Sequence, residues 1–140
     1  MLWAYFFIGG SMGKGKVKKI VGSISDDVVE QYKLYEYRNK KIVQSLDLYI
    51  HIAKHANEFE SVDSFNNAVS NIENIIANPY FVYHDSKRNS LLYFKEIDEN
   101  VCIVVKLSLQ ENKDTYVSTL YPISKSKIEK YKELSYITNR

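Results

Sequence analysis

Two of the three histidines in this 140-residue chain stand four residues apart, in the pentapeptide His51-Ile52-Ala53-Lys54-His55. On a helix, that spacing places both imidazoles on one face, with Lys54 next to them. An imidazole titrates near pH 6.5, so one ring can accept a proton while the other donates one. RNA transesterification needs such a pair, to deprotonate the ribose 2′-hydroxyl and to protonate the leaving 5′-oxygen, and a cation to stabilise the phosphorane.

Two other readings of the histidine pair stay open. Histidines four residues apart also arise by chance on a solvated helix face. The same spacing can bind zinc, but His84 and Cys102 are the only further nitrogen or sulfur candidates, and Cys102 lies in an apolar run where a buried thiol is expected. We therefore expect no metal and no cofactor. The sequence has no GxSxG, CxxC, P-loop or HExxH motif.

The bulk composition excludes some classes of protein and leaves others open. The 19 basic and 17 acidic residues give a formal net charge of only +2, which does not by itself demand a nucleic-acid partner. With one cysteine, no intramolecular disulfide can form, which fits a reduced, cytoplasmic setting. Residues 2–8 are apolar but too few to span a bilayer, so no membrane association is expected. Residues 1–15 are expected to be an N-terminal extension, added in cloning or disordered, and residues 16–140 one domain.

The elements that must position the histidines follow from hydrophobic periodicity. Ser45 is a good N-cap for a helix from Leu46 to about Asn57, which would carry both histidines. A second amphipathic helix begins near Ser61 and is stopped at Asn78-Pro79.

Beyond Pro79 the apolar pattern changes to that of strands. Four segments separated by hairpin-length turns follow, and Ser124 then caps a last helix. Two short β-branched runs, at residues 17–24 and 40–44, could also be strands. The sequence thus predicts an α+β fold in which N-terminal helices pack on a C-terminal four-stranded antiparallel meander, with a closing C-terminal helix.

Three parts of the sequence resemble the phage-associated branch of the barnase, EndoU, colicin and RelE-like nuclease superfamily. They are the helix from Ser45 to His55, where members often show an "HI..(K/R)H" pattern, the strand start at Pro79, where they often show "P..V", and the last strand, Val117-Ser118-Thr119-Leu120-Tyr121, where they often show "(V/I)(T/S)xY". The resemblance covers roughly residues 41–134. Ala56-Asn57 departs from the proline and acid that often follow the second histidine.

The resemblance implies RNA as the substrate and a helix packed on an antiparallel sheet that carries the active site. His51 and His55 match the helix positions and Lys54 the cationic one, while Thr119 and Tyr121 match the last strand, where hydroxyls can hold a phosphate. Alternation places Thr119 and Tyr121 on one strand face and Ser118 on the other. The superfamily varies its general base, so base and acid stay unassigned.

The sequence therefore predicts a metal-independent endoribonuclease, a phage or mobile-element effector or toxin that a cognate protein inhibitor could block. Tyr116 and Tyr83 are candidates for stacking a base, although packing would also explain them. The alternative is a non-catalytic RNA-binding or protein-interaction domain on the same fold.

Overall fold

The computed structural model describes residues 18–138 of the chain, with side chains to residue 136. The prediction of an N-terminal extension over residues 1–15 lies outside these described residues. Six strands form one sheet, in the order β1-β2-β6-β5-β4-β3. The strands are β1 Lys18–Ser23, β2 Lys41–Ser45, β3 Phe81–Asp85, β4 Ser90–Glu96, β5 Asn100–Lys106 and β6 Thr115–Pro122.

Five α-helices interleave with these strands. They are α1 Asp26–Tyr32, α2 Leu48–Ile52, α3 Val62–Ser70, α4 Ile72–Ala77 and α5 Lys125–Thr138, and 3₁₀ helices occupy Tyr35–Tyr37 and Ala53–Glu58. No helix among the described residues is long and apolar enough to cross a membrane.

The prediction of a four-stranded antiparallel C-terminal meander is wrong, because the sheet has six strands and is mixed. The β2 strand pairs in parallel with β6, through Ile42 opposite Thr115 and Val43 opposite Tyr116. The β1 strand then pairs antiparallel with β2. Both N-terminal strands carry an apolar residue on the helix-covered face, Val21 and Ile42, and joining the sheet buries both. The fold is α+β, but its helices do not form a separate N-terminal half.

The two faces of the sheet are covered unequally. The larger core lies on one face, between the sheet and the helices from the first 80 residues, and is built around buried side chains such as Phe65, Ile75 and Ile103. A smaller cluster on the other face lies under α5, where Ile128 packs with Phe94 and Cys102. The prediction that Cys102 is buried is confirmed, and burial raises the pKa of its thiol to about 12.

One close approach fixes β1 against the helical layer. A Cβ atom at Gly22 would lie 2.7 Å from Ile76 Cγ2 of α4, so only glycine lets the strand and helix come this close. A register shift between Ile20 and Gly22 marks the same point. This contact holds β1, and through it β2, at the edge of the sheet near the histidines.

The predicted single helix over residues 46–57 is replaced by two shorter elements. The α-helix ends at Ile52, and a 3₁₀ helix continues from Ala53 to Glu58; we call residues 48–58 the histidine segment. Leu48, Ile52 and Phe59 are buried in the larger core and hold the segment against the protein. A 3₁₀ helix turns faster and rises faster than an α-helix, so His51 and His55 diverge more than the sequence spacing predicted.

Candidate active site in the cleft beside β6

The histidine segment packs against β6 at the point where the sheet opens. The β2 strand pairs with β6 only at Ile42 and Val43 and ends at Ser45. The chain then turns into α2 and the 3₁₀ helix, both of which contact β6. Because β2 leaves the sheet here, the later residues of β6 face the histidine segment instead of a strand.

A cleft of about 710 Å³ lies at this opening, and His51 is one of its lining residues. We call it the β6 cleft. It is lined by residues of β1, β2, α2, β5 and β6, of the turn before α2 and of the loop between β5 and β6. Its polar and charged lining residues are Lys18, Ser45, Asp47, His51, Lys106, Ser108, Gln110, Lys113, Asp114, Tyr116 and Ser118.

The His51 imidazole is exposed and available for chemistry. No hydrogen bond or ion pair engages its ring among the described residues, although its backbone N–H donates to Asp47 O within α2. A ring without a protein partner can accept or donate a proton from either nitrogen. His51 therefore meets the geometric requirement for a general acid or base in the cleft.

Three lysines give the β6 cleft cationic character. The Lys18 ammonium lies 2.5 Å from the Asp114 carboxylate, and Lys106 Nζ donates to the Arg88 carbonyl oxygen. Lys113 is exposed in the loop between β5 and β6. Two aspartates, Asp47 and Asp114, also line the cleft, so the lysines exceed the acids there. This excess of positive charge favours the binding of a phosphate group in the cleft.

His55 lies further along β6, outside the lining of the cleft. Its Nδ1 is 2.6 Å from Glu58 Oε2, and its ring centroid is 6.2 Å from that of Tyr121. An ionised carboxylate has no proton to give, so Nδ1–H is the donor and Nε2 is left for proton transfer. Glu58 thus fixes the orientation of the ring, as a carboxylate partner does for catalytic histidines.

The remaining predicted site residues occupy different environments. Lys54 is exposed and is not among the residues that line the cleft. Thr119 and Tyr121 pair with Val104 and Cys102, whose side chains both belong to the α5 side of the sheet. The Thr119 Oγ1 is buried without a hydrogen-bond partner. Burial raises the pKa of the Tyr121 hydroxyl, and the neighbouring Cys102 thiol raises it further.

A bulge in β6 changes which of its side chains share a face of the sheet. Val104 pairs with Thr119, but the next residue of β5, Val105, pairs with Val117, so Ser118 is the extra residue. Tyr116 and Thr119 consequently share a face, and Ser118 lines the cleft with His51. The expectation that Ser118 simply points to the opposite face from Thr119 did not allow for this bulge.

Sequence reasoning named His51 and Tyr116 as candidates but missed the lysines of the cleft and that these residues meet. Lys106, Lys113, Tyr116 and Ser118 surround His51 only because β5, β6 and their connecting loop pack beside α2. One local signal was present: Lys106 ends the most apolar strand of the chain.

The family of the chain follows from a match to a family model. The model for phage-Barnase-EndoU-ColicinE5/D-RelE like nuclease3 matches residues 18–130, most of the chain, and the chain belongs to this family of nucleases. Neither the curated proteins nor the solved structures gave a match. The resemblance drawn from the histidine helix and the closing strand is thereby confirmed at the level of the family.

Proposed function

We propose that this protein is a metal-independent endoribonuclease, with its active site in the β6 cleft and along the adjoining histidine segment. The observation that carries the proposal is the exposed His51 imidazole in a cleft lined by Lys18, Lys106 and Lys113. Proton transfer and phosphate binding are the two tasks of RNA transesterification, and this group of side chains can perform both.

The reaction would proceed by attack within the RNA itself. One imidazole removes the proton of a ribose 2′-hydroxyl, and the 2′-oxygen forms a bond to the adjacent phosphorus. The bond from phosphorus to the 5′-oxygen breaks, and the second imidazole protonates that oxygen. The products are a 2′,3′-cyclic phosphate and a 5′-hydroxyl, and no electron acceptor or added water is needed.

The placement of the two histidines supports this division of labour. The helical rise separates His51 and His55 by about 7 Å along the segment, which leaves room for a phosphate between their side chains. Glu58 would stabilise the imidazolium of His55 when it forms during turnover. The cleft lysines, rather than Lys54 alone, would stabilise the phosphorane. A rotation of the Thr119 side chain would offer its unpartnered hydroxyl to the same phosphate, beside Tyr121.

The test is cleavage of a labelled RNA in EDTA by the wild-type protein and by His51→Ala and His55→Ala variants. Each substitution is expected to lower the rate by about 10²- to 10⁴-fold, the usual contribution of a general acid or base. The exposed Asn57→Ala variant in the same 3₁₀ helix serves as the matched control and should cleave as the wild type does. The wild-type product should end in a 2′,3′-cyclic phosphate.

A substrate with sulfur in place of the leaving 5′-oxygen separates the two histidines. A thiolate leaves without needing a proton, so the variant that lacks the general acid should recover most of its rate on this substrate. The variant that lacks the general base should not. Unchanged cleavage by both variants would remove the histidine assignment. RNA binding without cleavage by the wild type would favour the non-catalytic alternative.

A further inference from the structure

A row of side chains crosses the face of the sheet that the main helical layer leaves uncovered. Four consecutive pairings align Ile20 of β1, Val43 of β2, Tyr116 of β6, Lys106 of β5 and Ser90 of β4. Paired residues in adjacent strands project to the same side, so all five side chains share one face. We call this set the cross-strand row.

Tyr116 is unusually accessible for its place in the sheet. It belongs to β6, an interior strand with β2 on one side and β5 on the other, yet 43% of its surface is exposed. Ile20 in the same row is 62% exposed. The closing helix α5 packs against β3, at the other end of the sheet. Paired strands on both sides hold the backbone of Tyr116 in place beneath its exposed ring, which forms an aromatic platform on this face of the sheet.

The charges around this platform are those that a nucleic-acid backbone requires. Lys106 is the direct cross-strand neighbour of Tyr116, and Lys18 lies two residues before Ile20 on the same strand face. Both lysines and Tyr116 also line the β6 cleft with His51. The Lys106 ammonium donates to the Arg88 carbonyl oxygen and the Lys18 ammonium pairs with Asp114, so a bound phosphate would replace these acceptors. An exposed aromatic ring in a strand flanked by lysines is typical of surfaces that stack an unpaired base and hold its phosphates.

We propose that the cross-strand row binds single-stranded RNA, with one unpaired base stacked on the Tyr116 ring and its flanking phosphates on Lys106 and Lys18. The proposal rests on the proposed function, since it places this base next to His51. In a duplex, both faces of every base are covered by its neighbours, so a ring in the floor of a sheet cannot reach them. The row would therefore select single-stranded over double-stranded RNA.

The experiment measures binding separately from cleavage. A fluorescein-labelled RNA oligonucleotide with every 2′-hydroxyl methylated lacks the nucleophile and cannot be cleaved by transesterification. Its Kd is measured by fluorescence anisotropy for the wild type, Tyr116→Leu and Tyr116→Phe. Tyr35→Leu is the matched control, because Tyr35 is 55% exposed and lies outside both the row and the cleft.

Tyr116→Leu is expected to weaken binding by about tenfold or more, whereas Tyr116→Phe and Tyr35→Leu should bind as the wild type does. The same sequence annealed to its complement should bind at least about tenfold more weakly than the single strand, and Tyr116→Leu should not weaken it further. If Tyr116→Leu fails to fold, Tyr116→Thr, which suits a strand, takes its place.

Wild-type affinity in the leucine or threonine variant, or equal affinity for duplex and single strand, would overturn the proposal. These outcomes are distinct from failure of the proposed function. A protein that binds the oligonucleotide through Tyr116 but cleaves no RNA would disprove the nuclease activity alone.

Discussion

At the scale of single residues, the surroundings of His51 and His55, rather than their spacing, distinguish the two histidines. His51 has an open ring in a cationic cleft, and His55 has a ring held by Glu58 and packed near Tyr121. The same two residue types, four positions apart, thus acquire different surroundings. Thr119, in the same strand as Tyr121, has a buried hydroxyl without a hydrogen-bond partner. Burying such a group lowers the stability of the fold, and a residue with a purely structural role would not require it.

Replacing Thr119 with valine should stabilise the protein and weaken its activity. Valine has nearly the same shape but no hydroxyl, so the unmet hydrogen bond disappears and the free energy of unfolding should rise by about 1 kcal/mol. Loss of a phosphate contact should lower the cleavage rate by about tenfold. Urea denaturation and RNA cleavage, measured on the same preparation, check both effects. A less stable variant would mean that the hydroxyl has a partner in the folded protein.

At the scale of elements, the start of α3 is anchored to the far side of the sheet directly after the histidine segment. Ser61 caps α3 by accepting a hydrogen bond from Ser64 N. Glu99, in the turn between β4 and β5, accepts two more at Oε2: from Glu60 N at 2.8 Å and from Ser64 Oγ at 2.6 Å. One carboxylate therefore fixes where the histidine segment ends.

Removing this carboxylate by Glu99→Ala should lower the free energy of unfolding by about 1–2 kcal/mol, since it leaves two donors at the start of α3 without their charged acceptor. Glu96→Ala is the matched control: Glu96 is exposed at the end of the neighbouring strand, and its loss should cost less than about 0.5 kcal/mol. Urea denaturation of both variants compares the two. Equal effects would show that Glu99 does not anchor α3.

At the scale of the whole molecule, stability in acid should depend on His84. Its ring packs against Tyr32 with centroids 5.8 Å apart, and its Nε2 is buried without a hydrogen-bond partner. Burial lowers the pKa of His84 below its ordinary value of 6.5, although the Asn89 side chain and the Asp85 charge oppose this shift. The folded protein therefore disfavours the charged imidazole.

The pH dependence follows in sign from that lowered pKa. Below pH 6.5 the unfolded chain binds a proton at His84 more readily than the folded chain does, so the free energy of unfolding falls as the pH drops from 6.5 toward the folded-state pKa. Above pH 6.5 the histidine adds no pH dependence. Urea denaturation from pH 7.5 to 5 should show this fall in the wild type and a smaller one in His84→Leu. A slope in His84→Leu equal to that of the wild type would contradict the assignment.

The local sequence was enough to predict several parts of the fold and the family. Val101 to Val105 reads as a buried strand, Asn78-Pro79 marks the end of a helix, and the His–Lys–His pattern with its closing strand indicated the nuclease family that the family model matches. Each of these signals lies within a short stretch of chain. Periodicity, capping and motif spacing depend only on neighbours in sequence, so they can be read without the tertiary structure.

Only the tertiary structure decided which segments meet. The parallel pairing of Ile42 with Thr115 joins strands far apart in sequence, and no local pattern encodes such a partner. The bulge at Ser118 and the change to a 3₁₀ helix after Ile52 are likewise responses to packing. These long-range contacts place the lysines and Tyr116 around His51. The residue types therefore determine the chemistry of the candidate site, while the pairing of the strands determines which of these residues come together.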